Sequence, residues 1–294
     1  MEKILLAYNP VSGNAQFKKK LDDIIDALQR RKILTAMYRT RPNDTGQAFI
    51  ECIKEFKPAG IISAGGDGTL HTVINWLMKT HTDLPVGIIG SGTSNDFATH
   101  LNIHCNENYF DVIAAGVTRP VDIGLVNDHE YFINVASAGA LTAIAHEVDS
   151  RQKNSFGKLA YYIHGVGEIP KFKSVPLKII ADGRTFNLDA FLFLVLNSPA
   201  VGGFKKVLSG IEIDDGKLDF IAIKKSSPRR IFDLTRKILS GNAVDGAENI
   251  FHLQAENFTI SSTAELTGDI DGEIGDALPL EIKCLPRALR IFSK

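Results

Sequence analysis

"SAGGDGTLH", residues 63 to 71, follows the apolar run Gly60-Ile61-Ile62 and leads into TLHTVINWLM, whose apolar residues recur at helical spacing. A buried strand therefore turns into a helix through a few residues in which Gly65, Gly66 and Gly68 surround Asp67. The same alternation repeats on either side. KILLAYNP reads as a buried strand, and Phe17, Leu21, Ile24, Ile25 and Leu28 then follow at helical spacing. ILTAMYRT is a second strand, with a helix after it starting from an Asn43 or Asp44 cap. PVGIIG is a fourth strand, followed by a helical TSNDFATHL. Strand and helix alternating in this way predict an α/β domain with a parallel sheet and helices on both faces.

After TRPVDIG the texture changes. VDIGLVN, EYFINVAS, VPLKIIA, TFNLDAFLFLVLN, KLDFIAIK, FHLQAENFTISS and LPLEIKC are strand-like, with turn pairs at Asn127-Asp128 and Asp182-Gly183. Helical stretches interrupt them at LAYYIHGV and PRRIFDLTRKIL. The expectation is two domains: residues 1–120 as α/β, and 121–294 as an antiparallel, β-sandwich-like domain whose last strand is a candidate to return to the first.

Composition excludes several classes. Apolar residues are 44 % and charged residues 23 %, as in a globular protein, and the net charge of -1 gives no footprint for nucleic acid. Cys52, Cys105 and Cys284 form neither a disulfide framework nor a zinc spacing, which predicts a reducing, cytoplasmic setting. No stretch of the sequence reaches the length needed to cross a bilayer.

Ligands of open α/β sheets bind at the carboxyl ends of the strands. Three strand ends carry loops rich in Gly, Ser, Thr and Asn: NPVSGN at 9–14, GGDGT at 65–69 and GSGTSND at 90–96. Glycine lets a ligand approach the main chain, and a helix N-terminus presents N–H groups to an anion. Asp67 alone would repel phosphate, but with Mg²⁺ between them it becomes an organising acid. A single GGDGT is also a plain strand-to-helix connection; three such loops on one edge favour the nucleotide reading. The sequence holds no GxxxxGK[ST], GxGxxG, HRD or DFG.

NPVSG, GGDGT and GTSNDFA, in this order, resemble the diacylglycerol kinase catalytic-domain family, of the soluble bacterial lipid kinase type and related to sphingosine and ceramide kinases. The resemblance implies an ATP- and Mg²⁺-dependent lipid kinase that transfers the γ-phosphate to a lipid hydroxyl such as that of diacylglycerol. Asn9, Pro10, Ser12, Gly13, Thr40, Gly65, Gly66, Asp67, Gly68, Thr69, Leu70, His71 and Thr93 would surround ATP. Asp67, Asp96 and Asp122 match acidic positions of a magnesium and phosphate network. Read alone, Asp96 is a helix-capping or first-turn acid and Asp122 an exposed strand-edge charge.

"TGDIDGEIGD", 267–276, would put Asp269, Asp271 and Glu273 on one face if extended, but from residues alone a surface hairpin turn at Asp271-Gly272 is the better reading. By the resemblance, Asp271-Gly272-Glu273 is the general-base motif, with Asp271 as base beside Glu273. "EIDDGKLDF", 212–220, reads alone as a hairpin with solvated charges. The resemblance adds a structural Mg²⁺ held by the Asp215 carboxylate and the main-chain carbonyls of Glu212 and Lys217. The basic runs KFKSVPLK and KKSSPRR read as solvated faces, or as contacts to anionic headgroups at a membrane that the enzyme touches only peripherally and transiently. Rival readings are an NAD kinase and a non-catalytic nucleotide or lipid binder of the same fold.

Overall fold

A computed structural model describes residues 2–12, 17–92, 94–139, 173–203 and 206–294. The chain divides into two compact units, Met1–Val121 with Arg287–Lys294, and Asp122–Pro286.

The first unit is an α/β layer structure. β1 (Glu2–Tyr8), β2 (Ile33–Arg39), β3 (Gly60–Gly65) and β4 (Val86–Gly90) form a parallel sheet in the order β2-β1-β3-β4. Ile291, near the end of β15 (Leu280–Phe292), adds in parallel beside Val86 of β4. Near-continuous apolar strands are what a sheet covered on both faces requires. Ile4, Leu6, Ile62 and Ala64 pack with Ile24, Ala27 and Leu28 of α1 (Phe17–Arg30) and with Tyr109, Phe110 and Ile113 of α5 (Glu107–Ala114). Strand side chains alternate, so the buried Leu5 and Ile61 face the other layer. That layer holds α2 (Gln47–Phe56) and α3 (Asp67–Lys79), and Tyr38, Phe49 and Trp76 meet edge to face or tilted, 5.1 to 6.0 Å apart. α2 starts later than its expected Asn43 or Asp44 cap. Asp44 instead accepts from the N–H of Gly46, which precedes the helix with φ 80°.

One polar contact bears on β4. Its Ile88 N–H donates to the Tyr109 hydroxyl at 2.7 Å, in the buried layer. Burial pushes the Tyr109 phenol pKa well above its ordinary value. Tyr109→Phe should therefore destabilise the protein by about 1–3 kcal/mol, because it leaves a buried strand N–H without an acceptor. Denaturant titration with an unchanged m-value is the measurement; a midpoint equal to wild type contradicts it.

The second unit is antiparallel. Its main path runs β14 (Glu273–Ala277), β13 (Thr267–Ile270), β7 (Val135–Gly139), β9 (Arg184–Leu196), β8 (Val175–Ala181), β12 (Asn257–Ser262) and the start of β15. β10 (Leu218–Lys224) joins β9 and β11 (Ile250–Ala255), while β5 (Thr118–Val126) pairs with β6 (Glu130–Phe132). Asn127-Asp128 and Asp182-Gly183 both have positive φ, as tight hairpin turns require. One core stacks Phe193, Phe220 and Phe258; a second packs Ile231, Leu234 and Ile238 of α6 (Pro228–Leu239) against Val135, Leu194 and Ile221. The helix expected at LAYYIHGV lies outside the described residues. Among the described residues no helix is long and apolar enough to cross a membrane.

Candidate functional site

Parallel strands end on one edge, so the connections after β1 to β4 lie side by side. Hydrogen bonds carry the sheet pattern beyond the strands: Asn9 N–H donates to the Ala64 carbonyl at 3.0 Å and Ser91 N–H to the Gly65 carbonyl at 2.8 Å. Thr40 donates to the Tyr8 carbonyl twice, from its N–H at 3.0 Å and its hydroxyl at 3.2 Å. Asn9 closes its own turn, its Oδ1 accepting from Val11 N–H at 3.1 Å. Pro10 and Ser12 follow in that turn, while Gly13 and Thr93 lie outside the described residues.

The loops after β3 and β4 meet backbone to backbone. A Cβ on Gly92 would sit 2.7 Å from the Gly66 Cα, a distance that any side chain would have to widen. A Cβ on Gly66 would lie 3.4 Å from the Gly92 Cα and 3.5 Å from the Ser12 hydroxyl, in ordinary contact. Asn95 holds the Gly92 loop in both directions: its Oδ1 accepts from Gly92 N–H at 2.9 Å and its Nδ2 donates to the Gly92 carbonyl at 2.8 Å. α3 begins directly after Gly66 with no side-chain cap, and the Gly66 carbonyl accepts from Thr69 and Leu70 N–H. Gly68 lies in this first turn.

Asp67 opens α3, and its Oδ1 accepts from the Asp96 N–H at 2.8 Å. Asp67 therefore joins the glycine turn to the start of the short helix α4 (Asp96–His100), where Asp96 is buried. A notch of about 10 Å³, the room of one water, is lined by Ser63, Gly65, Gly66, Asp67, Leu70, Ile88, Asn95 and Ala98. Thr69, Leu70 and His71 are buried, and Asn75 Nδ2 donates to the His71 carbonyl at 3.1 Å.

In the second unit, Asp271 and Gly272 form the β13–β14 turn with φ 51° and 91°. The segment is therefore not extended, and Asp269, Asp271 and Glu273 do not share one strand face. Asp269 is buried and accepts from Gly272 N–H at 3.0 Å. Asp271 reaches back to the β6–β7 connection: Oδ1 accepts from Asn134 and Val135 N–H, both at 2.9 Å, and Oδ2 from Ile133 N–H at 2.8 Å. Glu273 is the first residue of β14. Buried polar side chains brace that connection. Asn197 Nδ2 donates to the Ile133 and Asp122 carbonyls, and the Ser198 hydroxyl donates to Asn134 Oδ1.

Asp122 is not an exposed strand-edge charge. It lies inside β5, is 0 % exposed, and accepts from Gly216 N–H at 2.7 Å. It thus belongs with the 212–217 turn in the second unit, whereas Asp67 and Asp96 lie in the first. In that turn Asp215 accepts from Lys217 N–H at 3.0 Å and Gln254 Nε2 at 2.9 Å, while Glu212, Asp215 and Lys217 are exposed. Burial first, then the negative fields of Asp122, Asp215 and Glu256, push the nearby Cys284 thiol up to about 12. Negative potential concentrated around a buried carboxylate suits a hard cation. Among the described residues, no three His, Cys, Asp or Glu side chains gather as a metal cluster, so main-chain carbonyls would have to complete such a site.

Residue patterns did not single out Asn95, Gly92 or the Asn197-Ser198 brace. Asn95 could have been found: an Asn within a Gly- and Ser-rich loop is a common local backbone binder.

Residues 3–126 match the family model described as diacylglycerol kinase catalytic domain, and residues 134–293 the one described as YegS C-terminal NAD kinase beta sandwich-like domain. A diacylglycerol kinase of Bacillus subtilis (strain 168) is 33 % identical over 99 % of this chain and 96 % of its own length. One from Staphylococcus aureus (strain bovine RF122 / ET3-1) is 34 % identical over 98 % of this chain and 91 % of its own. A crystal structure of a proposed diacylglycerol kinase from Bacillus anthracis str. Sterne superposes with a TM-score of 0.84 at 27 % identity, covering 100 % of this chain and 95 % of that one. With relatives matched along nearly their whole length and both units covered, the chain belongs to the diacylglycerol kinase family, a family of phosphotransferases acting on an alcohol group.

Proposed function

We propose that the protein transfers the γ-phosphoryl group of ATP to the primary hydroxyl of a diacylglycerol-type lipid. The observation that carries this reading is the glycine edge of the first unit. There Gly66 and Gly92 meet without side chains at the uncapped start of α3, with Asp67 beside them. Such a surface offers main-chain N–H groups and a helix dipole to phosphate oxygens.

In this reading Asn9, Pro10, Ser12, Gly13, Thr40, Gly65, Gly66, Gly68 to His71 and Thr93 receive the nucleotide. Asp67, Asp96 and Asp122 would organise the magnesium that accompanies it. When bound, magnesium would offset the negative charge of the phosphates. Asp271 takes the proton of the attacking lipid hydroxyl, with Glu273 beside it. The hydroxyl oxygen bonds to the γ-phosphorus, the bond to the β–γ bridging oxygen breaks, and ADP leaves. Three main-chain N–H groups fix the Asp271 carboxylate, and so orient it before the acceptor arrives. Membrane contact is peripheral.

Calorimetric titration tests the nucleotide half. ATP with magnesium should bind saturably, and NAD should not bind alongside it; saturable binding of NAD to the ATP-loaded protein would favour the NAD kinase reading.

The 212–217 turn is assigned a structural Mg²⁺, held by Asp215 and the carbonyls of Glu212 and Lys217, with the buried Asp122 carboxylate adding negative charge. At an ion concentration about 100 times its Kd, such binding adds roughly 2.7 kcal/mol. Chelation should then lower the wild-type Tm by about 5–10 °C. Asp215→Ala should start lower and be insensitive to chelator. Equal sensitivity of the two proteins contradicts the assignment.

A further inference from the structure

The β5–β6 hairpin stops pairing sooner than its register requires. Gly124, Leu125 and Val126 face Phe132, Tyr131 and Glu130, so the next pairs would be Ile123 with Ile133 and Asp122 with Asn134. The two arms part instead. The Asp122 N–H donates to the Ile213 carbonyl at 2.6 Å, away from Asn134. Between the arms stands the side-chain amide of Asn197, the residue after β9. Its Nδ2 donates to the Asp122 carbonyl at 2.8 Å and to the Ile133 carbonyl at 2.9 Å, one on each arm. Both partners are carbonyls, so only the amide nitrogen can face them.

Parting the arms changes where the main chain of residues 133–135 is satisfied. The N–H groups of Ile133, Asn134 and Val135 all donate to the Asp271 carboxylate. The Ile133 carbonyl accepts from Asn197 Nδ2, the Asn134 carbonyl from Asn197 N–H at 2.8 Å, and the Val135 carbonyl from Asp271 N–H at 2.9 Å. Asn197 and Asp271 thus take up both polar groups of each of these three residues. Asn197 is 0 % exposed, and its Oδ1 has no hydrogen-bond partner among the described residues. A buried amide oxygen left unpaired costs stability. Continued pairing of the hairpin would avoid that cost, but would draw the N–H groups of this segment away from Asp271.

We propose that Asn197 is the positioning residue of the assigned base: its amide holds the hairpin arms apart, and the freed arm turns three N–H groups onto the Asp271 carboxylate. The inference rests on the reading of Asp271 as the base. A reacting group misplaced by about 1 Å can lose on the order of 10²-fold in rate, so a side chain that never meets substrate can still govern turnover.

The test uses the full chain, assayed well below the unfolding transition of each variant. Asn197→Ala should lose on the order of 10- to 10²-fold in kcat with the KM for ATP unchanged. In the Asp271→Asn background the same substitution should cost less than about twofold, because no base is left to position. An equal loss in both backgrounds would reduce Asn197 to core packing and overturn the proposal. Phe258→Leu, in the buried core of the same unit, is the stability control; it should lower the Tm and leave kcat near that of wild type. An equal fall in kcat there would assign the loss to general softening and overturn the proposal as well. Amide hydrogen exchange needs no turnover: residues 133–135 should lose protection in Asn197→Ala and keep it in Phe258→Leu, and protection kept in both contradicts the role of Asn197. Should Asn197→Ala not fold, Asn197→Ser, which leaves one hydroxyl donor between the arms, carries the same comparisons. A folded Asp271→Asn enzyme of normal kcat would remove the base reading and the catalytic half of the proposal with it, whereas lost protection at 133–135 would still assign the geometry of that segment to Asn197.

Discussion

Asp271→Asn should lower lipid-kinase kcat by about 10²–10⁴-fold, the usual contribution of a positioned general base. Asn matches the carboxylate in shape but not in what it accepts. Its Oδ1 can still receive the N–H groups of Asn134 and Val135, whereas its Nδ2 would face the Ile133 N–H donor to donor. A stability loss of about 1–3 kcal/mol should accompany the kinetic one. The two effects separate by temperature: well below the transition the variant is folded, and only the kinetic loss remains. ATP affinity should not change, because the nucleotide is assigned to the first unit. Asp276→Asn is the comparison. Asp276 accepts from Asn127 Nδ2 at 2.7 Å and stands 3.4 Å from His129 Nε2, on a partly exposed surface. It should cost little stability and no turnover. A folded Asp271→Asn enzyme with normal kcat rejects the base assignment and leaves Asp271 as the residue that closes the β13–β14 turn.

Gly66→Ala should weaken ATP binding by on the order of 10²-fold while leaving stability within about 0.5 kcal/mol of wild type. Gly66 has φ -90° and ψ -174°, extended backbone that alanine adopts readily. Its added methyl would touch only Gly92 and the Ser12 hydroxyl at ordinary contact distance. The fold therefore has no objection to the methyl; a phosphate packed against the main chain does. Gly92→Ala is the contrasting substitution. Its methyl would be driven into the Gly66 backbone at 2.7 Å, so stability should fall by about 1–3 kcal/mol along with binding. Thermal denaturation and calorimetry on both variants distinguish the cases. Unchanged ATP affinity in Gly66→Ala would mean that the glycine pair serves loop packing alone.

The first unit was legible because its signals are local. Apolar strands such as Lys3 to Tyr8 and the helical spacing of Ile24 and Leu28 need no distant partner to be read. The strand-end loops follow from the parallel order. The acidic residues of the second unit were harder because their partners are far along the chain. Asp122 reads as a surface charge until Gly216, 94 positions away, donates to it inside the core. Asp271 takes its donors from 136 to 138 residues upstream. The hairpin turn at Asp271-Gly272 was legible from residues and is present, with positive φ at both, but the sequence carried no sign of which N–H groups Asp271 would meet there. A carboxylate's burial depends on which donors the topology delivers, and periodicity carries no record of that.

Transfer of label from γ-labelled ATP tests the central claim most directly, with a panel of diacylglycerol, phosphatidylglycerol and sphingoid bases in mixed micelles and NAD as the soluble alternative. With magnesium present, label should appear in a lipid whose only change is phosphorylation of its hydroxyl, and chelation should abolish it. Label in NAD, or in no acceptor despite saturable ATP binding, would contradict the account.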